Sequence, residues 1–191
     1  MKRTILVTTL IALFIPASVA AEKNGYALNI YGAELTANHW EEFFDPSDSL
    51  DFQGSYLAAV ALAQTVGHYR ESVDFEVEGQ VVKHFEIQDH WEFNLLGLAR
   101  WEPFPWDKYI ETSIAFGIGP SWASEKPPIE VKSEGDSEQL LVYWLLELAF
   151  SSPTKSEWAF ITRIHHRSEA YGLVAERGGS NALAFGLKYR F

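Results

Sequence analysis

The strongest constraint on this chain is a period-two alternation of side-chain character, clearest in its last eleven residues, NALAFGLKYRF. Asn181, Leu183, Phe185, Leu187, Tyr189 and Phe191 alternate there with Ala182, Ala184, Gly186, Lys188 and Arg190. Successive side chains of a β-strand point to opposite faces, so one face is apolar and aromatic and the other small or charged. The pattern recurs upstream. Trp158, Phe160, Thr162 and Ile164 share a face opposite Ala159, Ile161, Arg163, His165 and Arg167. From Leu140 to Phe150 the even positions are apolar, with Tyr143, Glu147 and Ala149 opposite. Between Tyr109 and Gly119, Ile110, Ile114, Phe116 and Ile118 oppose Glu111, Ser113, Ala115, Gly117 and Gly119. Val73, Phe75, Val77 and Val81 oppose Asp74, Glu76, Glu78 and Gln80. Weaker alternation covers Trp91 to Trp101, Ser55 to Thr65 and Gly25 to Leu35. Eight strands of roughly ten residues follow, an even number.

A β-sandwich alternates in the same way with its apolar face turned inward. Three features favour the inverted arrangement, an all-β, eight-stranded antiparallel transmembrane barrel of the outer-membrane type. The polar face carries acids (Asp74, Glu76, Glu78, Glu92, Glu111, Glu147) and bases (Arg100, Arg163, Arg167, Lys188) that can pair inside a filled lumen. Trp91, Trp101, Trp106, Tyr109, Trp158 and Tyr189 fall near segment ends, as interfacial girdles require. The chain also stops on a strand ending Tyr189-Arg190-Phe191, similar to the C-terminal assembly signal of bacterial outer-membrane barrels.

The start of the chain agrees with export. Residues 1–21 place Lys2 and Arg3 before an apolar run from Ile5 to Ile15 and small residues up to Ala21, the layout of a secretory signal peptide. Ser18-Val19-Ala20 and Val19-Ala20-Ala21 are the candidate cleavage sites, and Pro16 interrupts a run already short for a membrane helix. Residues 22–191 are then a single barrel domain. Removing Lys2 and Arg3 leaves 13 basic against 26 acidic side chains, so the net charge moves from −11 to −13. That balance argues against nucleic acid, because neutralising phosphates needs surplus Lys and Arg. The absence of cysteine excludes disulfide scaffolds, zinc ribbons and thiol nucleophiles. His39, His68, His84 and His90 are scattered along the chain without metal-ligand spacing, so neither a metal nor a cofactor is expected.

With the N-terminus in the periplasm, the seventh strand runs outward, and the polar stretch from Trp122 to Gln139 is an extracellular loop. Connections such as Ser151–Thr154 and Phe104–Asp107 become short periplasmic turns. In Arg163-Ile164-His165-His166-Arg167-Ser168, parity turns His166 and Ser168 outward near the outer end, while His165 and Arg167 face the lumen. Residues two apart on a strand lie roughly 6–7 Å apart at Cα, close enough for an imidazole to take the proton of a hydroxyl. Asn181, at the start of the eighth strand, shares that face and is suited to orient the imidazole. Backbone N–H groups from Glu169 to Gly172 are candidates for an oxyanion hole. Polar residues at a membrane rim also need no catalytic role, so the residues alone leave both readings open.

These residues, with Gly172-Leu173, the Gly178-Gly179-Ser180-Asn181 turn and the aromatic terminal strand, resemble the lipid A 3-O-deacylase (acyloxyacyl hydrolase-like) family of outer-membrane barrels. The likeness is specific over about the last 30 residues and architectural before them. It implies an esterase that removes an acyl chain from lipid A, with Ser168 as nucleophile and His166 as base. The family's acid is a Glu where this chain has Asn181, and Glu169 and Glu176 are further candidates for that place. Outer membrane phospholipase A also joins a His-x-Ser pair to an Asn. The partners so implied are lipid A of the outer leaflet, the membrane itself and a second copy in a homodimer. The alternative is a non-catalytic small barrel that supports envelope integrity or binds through its loops; an open pore is disfavoured because eight strands enclose little more than their own side chains.

Overall fold

The computed structural model of the chain describes residues 25–102, 104–154 and 157–191. The expected signal peptide, 1–21, lies outside the described residues. Eight antiparallel strands close into a barrel in sequence order. They are β1 (Tyr26–Thr36), β2 (Phe52–Tyr69), β3 (Val73–Phe85), β4 (Trp91–Trp101), β5 (Glu111–Ala123), β6 (Leu140–Ser151), β7 (Trp158–Ser168) and β8 (Gly179–Arg190). Closure joins β1 to β8, ending in reciprocal bonds from Tyr26 N to Phe191 O (3.0 Å) and Phe191 N to Tyr26 O (2.9 Å). Closure leaves no free sheet edge, as a span through hydrocarbon requires.

The two faces are the expected ones. Val60, Leu62, Val77, Val81, Leu95, Phe116, Ile118, Phe160, Phe185 and Leu187 are exposed on the outer wall. Exposed aromatics ring both ends: Tyr56, Phe85, Trp91 and Trp122 towards the long loops, and Tyr69, Trp101, Trp106, Tyr109 and Trp158 towards the short turns. Inside, charges pair across strands far apart in sequence. Glu147 accepts from Arg100 (2.8 Å), Arg163 (2.6 Å) and Lys188 (2.6 Å). Arg100 also forks onto Glu76 (2.6 and 3.1 Å), and Arg163 onto Glu78 (2.8 and 2.9 Å). These groups leave water only because each meets several partners. The small inward residues Ala59, Ala61 and Ala63 of β2 make room for them.

Strands β2, β3 and β5 run beyond the sequence expectation, β3 past Val81 to Phe85. β2 runs beyond Ser55–Thr65 at both ends, with a register irregularity between Thr65 and Gly67. β5 runs past Gly119 to Ala123, so the loop expected from Trp122 begins later. Gly119-Pro120 reads as a strand stop because proline lacks the ladder donor. Here the β4–β5 ladder skips that dipeptide, running from Gly97–Ile118 to Asn94–Ser121, while β6 still pairs Gly119 and Pro120 with Tyr143 and Val142. Gly119 is obligatory there: a Cβ would lie 1.9 Å from Leu95 O.

The β5–β6 loop also holds a helix that alternation did not signal, α1 (Pro128–Glu134), started by proline and stopped by Gly135 at φ 80°. Its buried Glu130 accepts from Arg167 (2.8 Å), Ser137 (2.6 Å) and Ser180 (2.8 Å), which anchors the helix in the barrel mouth. A second correction concerns the histidines. Pairing of β3 with β4 stacks the His84 and His90 rings 4.2 Å apart beside Glu92, so these two are neighbours in space.

Candidate active site

The register of β6, β7 and β8 builds one polar patch on an apolar wall. His166 lies directly across from Trp144 on β6 and from Asn181 on β8, and Ser168 lies across from Val142 and Gly179. His166, Ser168 and Asn181 all face outward, are half-buried, and line a single cavity of about 840 Å³ at the loop end of the barrel. Phe116, Ile118, Val142, Trp144 and Leu146 form its apolar side; the β1–β2 loop contributes Asn38, Trp40 and Phe44.

The hydrogen bonds set the state of the imidazole. Asn181 Nδ2 donates to the backbone oxygen of Asn38 (3.0 Å), so its Oδ1 is the atom that faces His166 Nδ1 at 2.6 Å. An acceptor on Nδ1 requires the proton there, which leaves the Nε2 lone pair free to act as a base. Trp144 packs on the ring at 4.6 Å between centroids and is held edge-on by Trp40 at 5.5 Å. Rotation of the imidazole is therefore restricted from the side and from its Nδ1 edge.

Ser168 is placed but differently engaged. Its hydroxyl donates to Glu169 Oε2 (3.3 Å) and accepts from Ala170 N (3.1 Å), so transfer of its proton to His166 requires a hydroxyl rotation. Glu169 thus meets the serine and not the imidazole, and Glu176 is exposed in the loop. Of the backbone donors after Ser168, Glu169 N is committed to Gly178 O (3.1 Å), and Ala170 N points at the serine oxygen itself. Ala170, Tyr171 and Gly172 follow with φ of 55°, 55° and 81°. Left-handed backbone at two residues that carry a Cβ costs energy, and such strain concentrates where a loop is shaped for function.

Sequence reasoning brought together His166, Ser168 and Asn181 but missed Trp144, Asn38 and Trp40. Trp144 was within reach, since it occupies an outward position of β6 whose partner follows once the β6–β7 register is known. Asn38 and Trp40 lie in a loop without periodicity, and nothing in the sequence signals their place.

Fold and patch together define an eight-stranded barrel of the outer-membrane type with a His-x-Ser pair on its outer wall. Solved structures of such barrels are similar to it. The outer membrane enzyme PagL superposes with a TM-score of 0.57 at 11% identity, over 85% of this chain and 98% of that one. Neisserial surface protein A (NspA) superposes with a TM-score of 0.52 at 9% identity, over 88% of this chain and 100% of that one. Identities this low establish the fold alone. No protein-family model matches the chain, and no curated protein sequence does.

Proposed function

We propose that this chain is an outer-membrane serine esterase that removes an ester-linked acyl chain from lipid A in the outer leaflet. One observation carries the reading: the 2.6 Å bond from His166 Nδ1 to Asn181, whose amide is oriented by Asn38, leaves a base two residues from an outward-facing serine. The site opens on the lipid side of the wall, where an amphiphile in the membrane plane presents its ester. His166 Nε2 takes the Ser168 proton as Oγ bonds to the ester carbonyl carbon. The tetrahedral intermediate collapses, His166 gives the proton to the departing sugar oxygen, which leaves as a hydroxyl, and water then releases the fatty acid from Ser168. The apolar side of the cavity, with Phe116, Ile118 and Leu146, is suited to the acyl chain. The resemblance to lipid A deacylases and the fold shared with an outer membrane enzyme support the same reading. It places the mature protein in the outer membrane after export through the periplasm, with lipopolysaccharide as its partner.

A non-catalytic barrel is favoured by one observation, the Ser168 hydroxyl turned to Glu169. Fatty-acid release from purified lipopolysaccharide by the refolded protein separates the two. The esterase reading expects release by the unaltered chain and none by His166→Ala; equal release, or none from either, sinks it.

A further inference from the structure

A second cluster stands at the loop end of the lumen, on the opposite face of the wall from the esterase patch. His84 near the end of β3, His90 just before β4 and Glu92 within β4 are buried, and each has a ligand atom within 4.8 Å of those of the other two. The hairpin itself brings them together, with His84 N bonded to His90 O at 3.0 Å.

Their hydrogen bonding is incomplete. His84 Nε2 meets Glu92 Oε2 at 2.9 Å and its Nδ1 meets Gln88 at 2.9 Å, but both ring nitrogens of His90 lack a partner although the residue is only 2% exposed. His165 of β7 comes within 3.1 Å of Glu92 Oε1 without the alignment of a hydrogen bond, and its Nδ1 has no hydrogen-bond partner. A buried imidazole without a partner has given up its hydrogen bonds to water without replacing them, a cost expected to be compensated in a settled structure. Water is one remedy; a cation accepting the lone pairs is another, and the donor set favours it.

We propose that His84, His90 and Glu92 bind a divalent transition cation of the zinc class. Two imidazoles and a carboxylate suit such an ion better than calcium or magnesium, which prefer all-oxygen surroundings. Bond lengths of about 2.0–2.2 Å place neighbouring ligand atoms of a tetrahedral ion about 3.3–3.6 Å apart. The His84–Glu92 pair needs to open by about 0.4–0.7 Å for the cation to replace the proton they share, and His90 has to turn from its parallel stack on His84, because a ring nitrogen donates in its own ring plane. The supporting layer is in place: Gln88 holds His84, Asn94 donates to Glu92 Oε1 at 2.8 Å, and Gln88 Oε1 also accepts from Ile129 N of α1 at 3.4 Å. The ion would staple the β3–β4 hairpin beneath α1, with no part in acyl transfer.

Calorimetric titration of metal-stripped refolded protein in detergent with ZnCl2 tests this. Unaltered protein should take up one equivalent that excess CaCl2 does not displace. His90→Ala keeps the His84–Glu92 bond, so its barrel should fold, as heat-modifiable electrophoretic mobility will check, yet bind zinc more than about 100-fold more weakly. Glu92→Gln should behave alike, and His68→Ala, at an exposed histidine by the short turns, should bind as the unaltered chain does. Absence of stoichiometric uptake by the unaltered protein, or full uptake by folded His90→Ala, overturns the proposal.

Discussion

Asn181→Ala probes the least familiar part of the site, an amide where lipid A deacylases carry a carboxylate. The change removes the acceptor 2.6 Å from His166 Nδ1 and the donor to Asn38 O. A bond between neutral groups contributes about 0.5–1.5 kcal/mol, and one to a charged group about 1.5–3 kcal/mol. Only the part that strengthens as His166 becomes an imidazolium lowers the barrier, roughly 1–1.5 kcal/mol. At 1.36 kcal/mol per tenfold, kcat should fall about 5- to 13-fold. A freed ring also divides between its two tautomers, for roughly another twofold. The expected outcome is a kcat loss of about 10- to 25-fold, with KM little changed. Steady-state release of fatty acid from lipid A in mixed micelles gives both constants. Asn181→Asp restores an acceptor at the same reach, so its kcat should exceed that of the alanine variant, at some cost in stability because its carboxylate faces the Asn38 carbonyl. A kcat for Asn181→Ala within twofold of that of the unaltered protein, or a loss carried wholly by KM, would refute the orienting role.

Three further outcomes follow from the barrel. Glu147→Ala leaves Arg100, Arg163 and Lys188 without their shared carboxylate, and loss of one partner from a buried pair costs about 3–5 kcal/mol; the urea midpoint of the folded electrophoretic form should drop accordingly, and an unchanged midpoint would contradict the pairing. Gly186→Val directs a Cβ to 2.2 Å from Ile30 O and 2.5 Å from Tyr31 Cβ at the closing seam, so refolding should leave the protein in the unfolded band. Trp144→Ala removes the ring that packs on His166 and lines the cavity, an aromatic contact of about 0.5–1.5 kcal/mol; a several-fold loss in kcat/KM is expected in the same micellar assay, and full activity would exclude Trp144 from the site.

Most of the fold was legible in the sequence because a barrel wall imposes period two on every strand, and β6, β7 and β8 carry it with few exceptions. Parity alone sorted Arg163 and Lys188 into the lumen and Phe160 and Phe185 onto the wall. Legibility failed where another signal overrode the period. Gly119-Pro120 imitates a strand end although β5 continues through it, and α1 is too short for helical periodicity to emerge. The site shows the same division. Ser168, His166 and Asn181 share one face by counting residues, whereas the contact of Asn38 with Asn181 spans 143 residues and depends on how a loop folds back. The His84–His90 stack was hidden for a related reason: the hairpin register, not sequence spacing, creates the proximity.

The central claim is that Ser168 attacks an acyl ester of lipid A, and mass spectrometry of lipid A from cells producing the chain tests it directly. Cells with the unaltered protein should contain lipid A lighter by one acyl group, and cells with folded Ser168→Ala at equal abundance should match the empty-vector control. Identical lipid A in all three strains, or the same mass loss with Ser168→Ala, would contradict it.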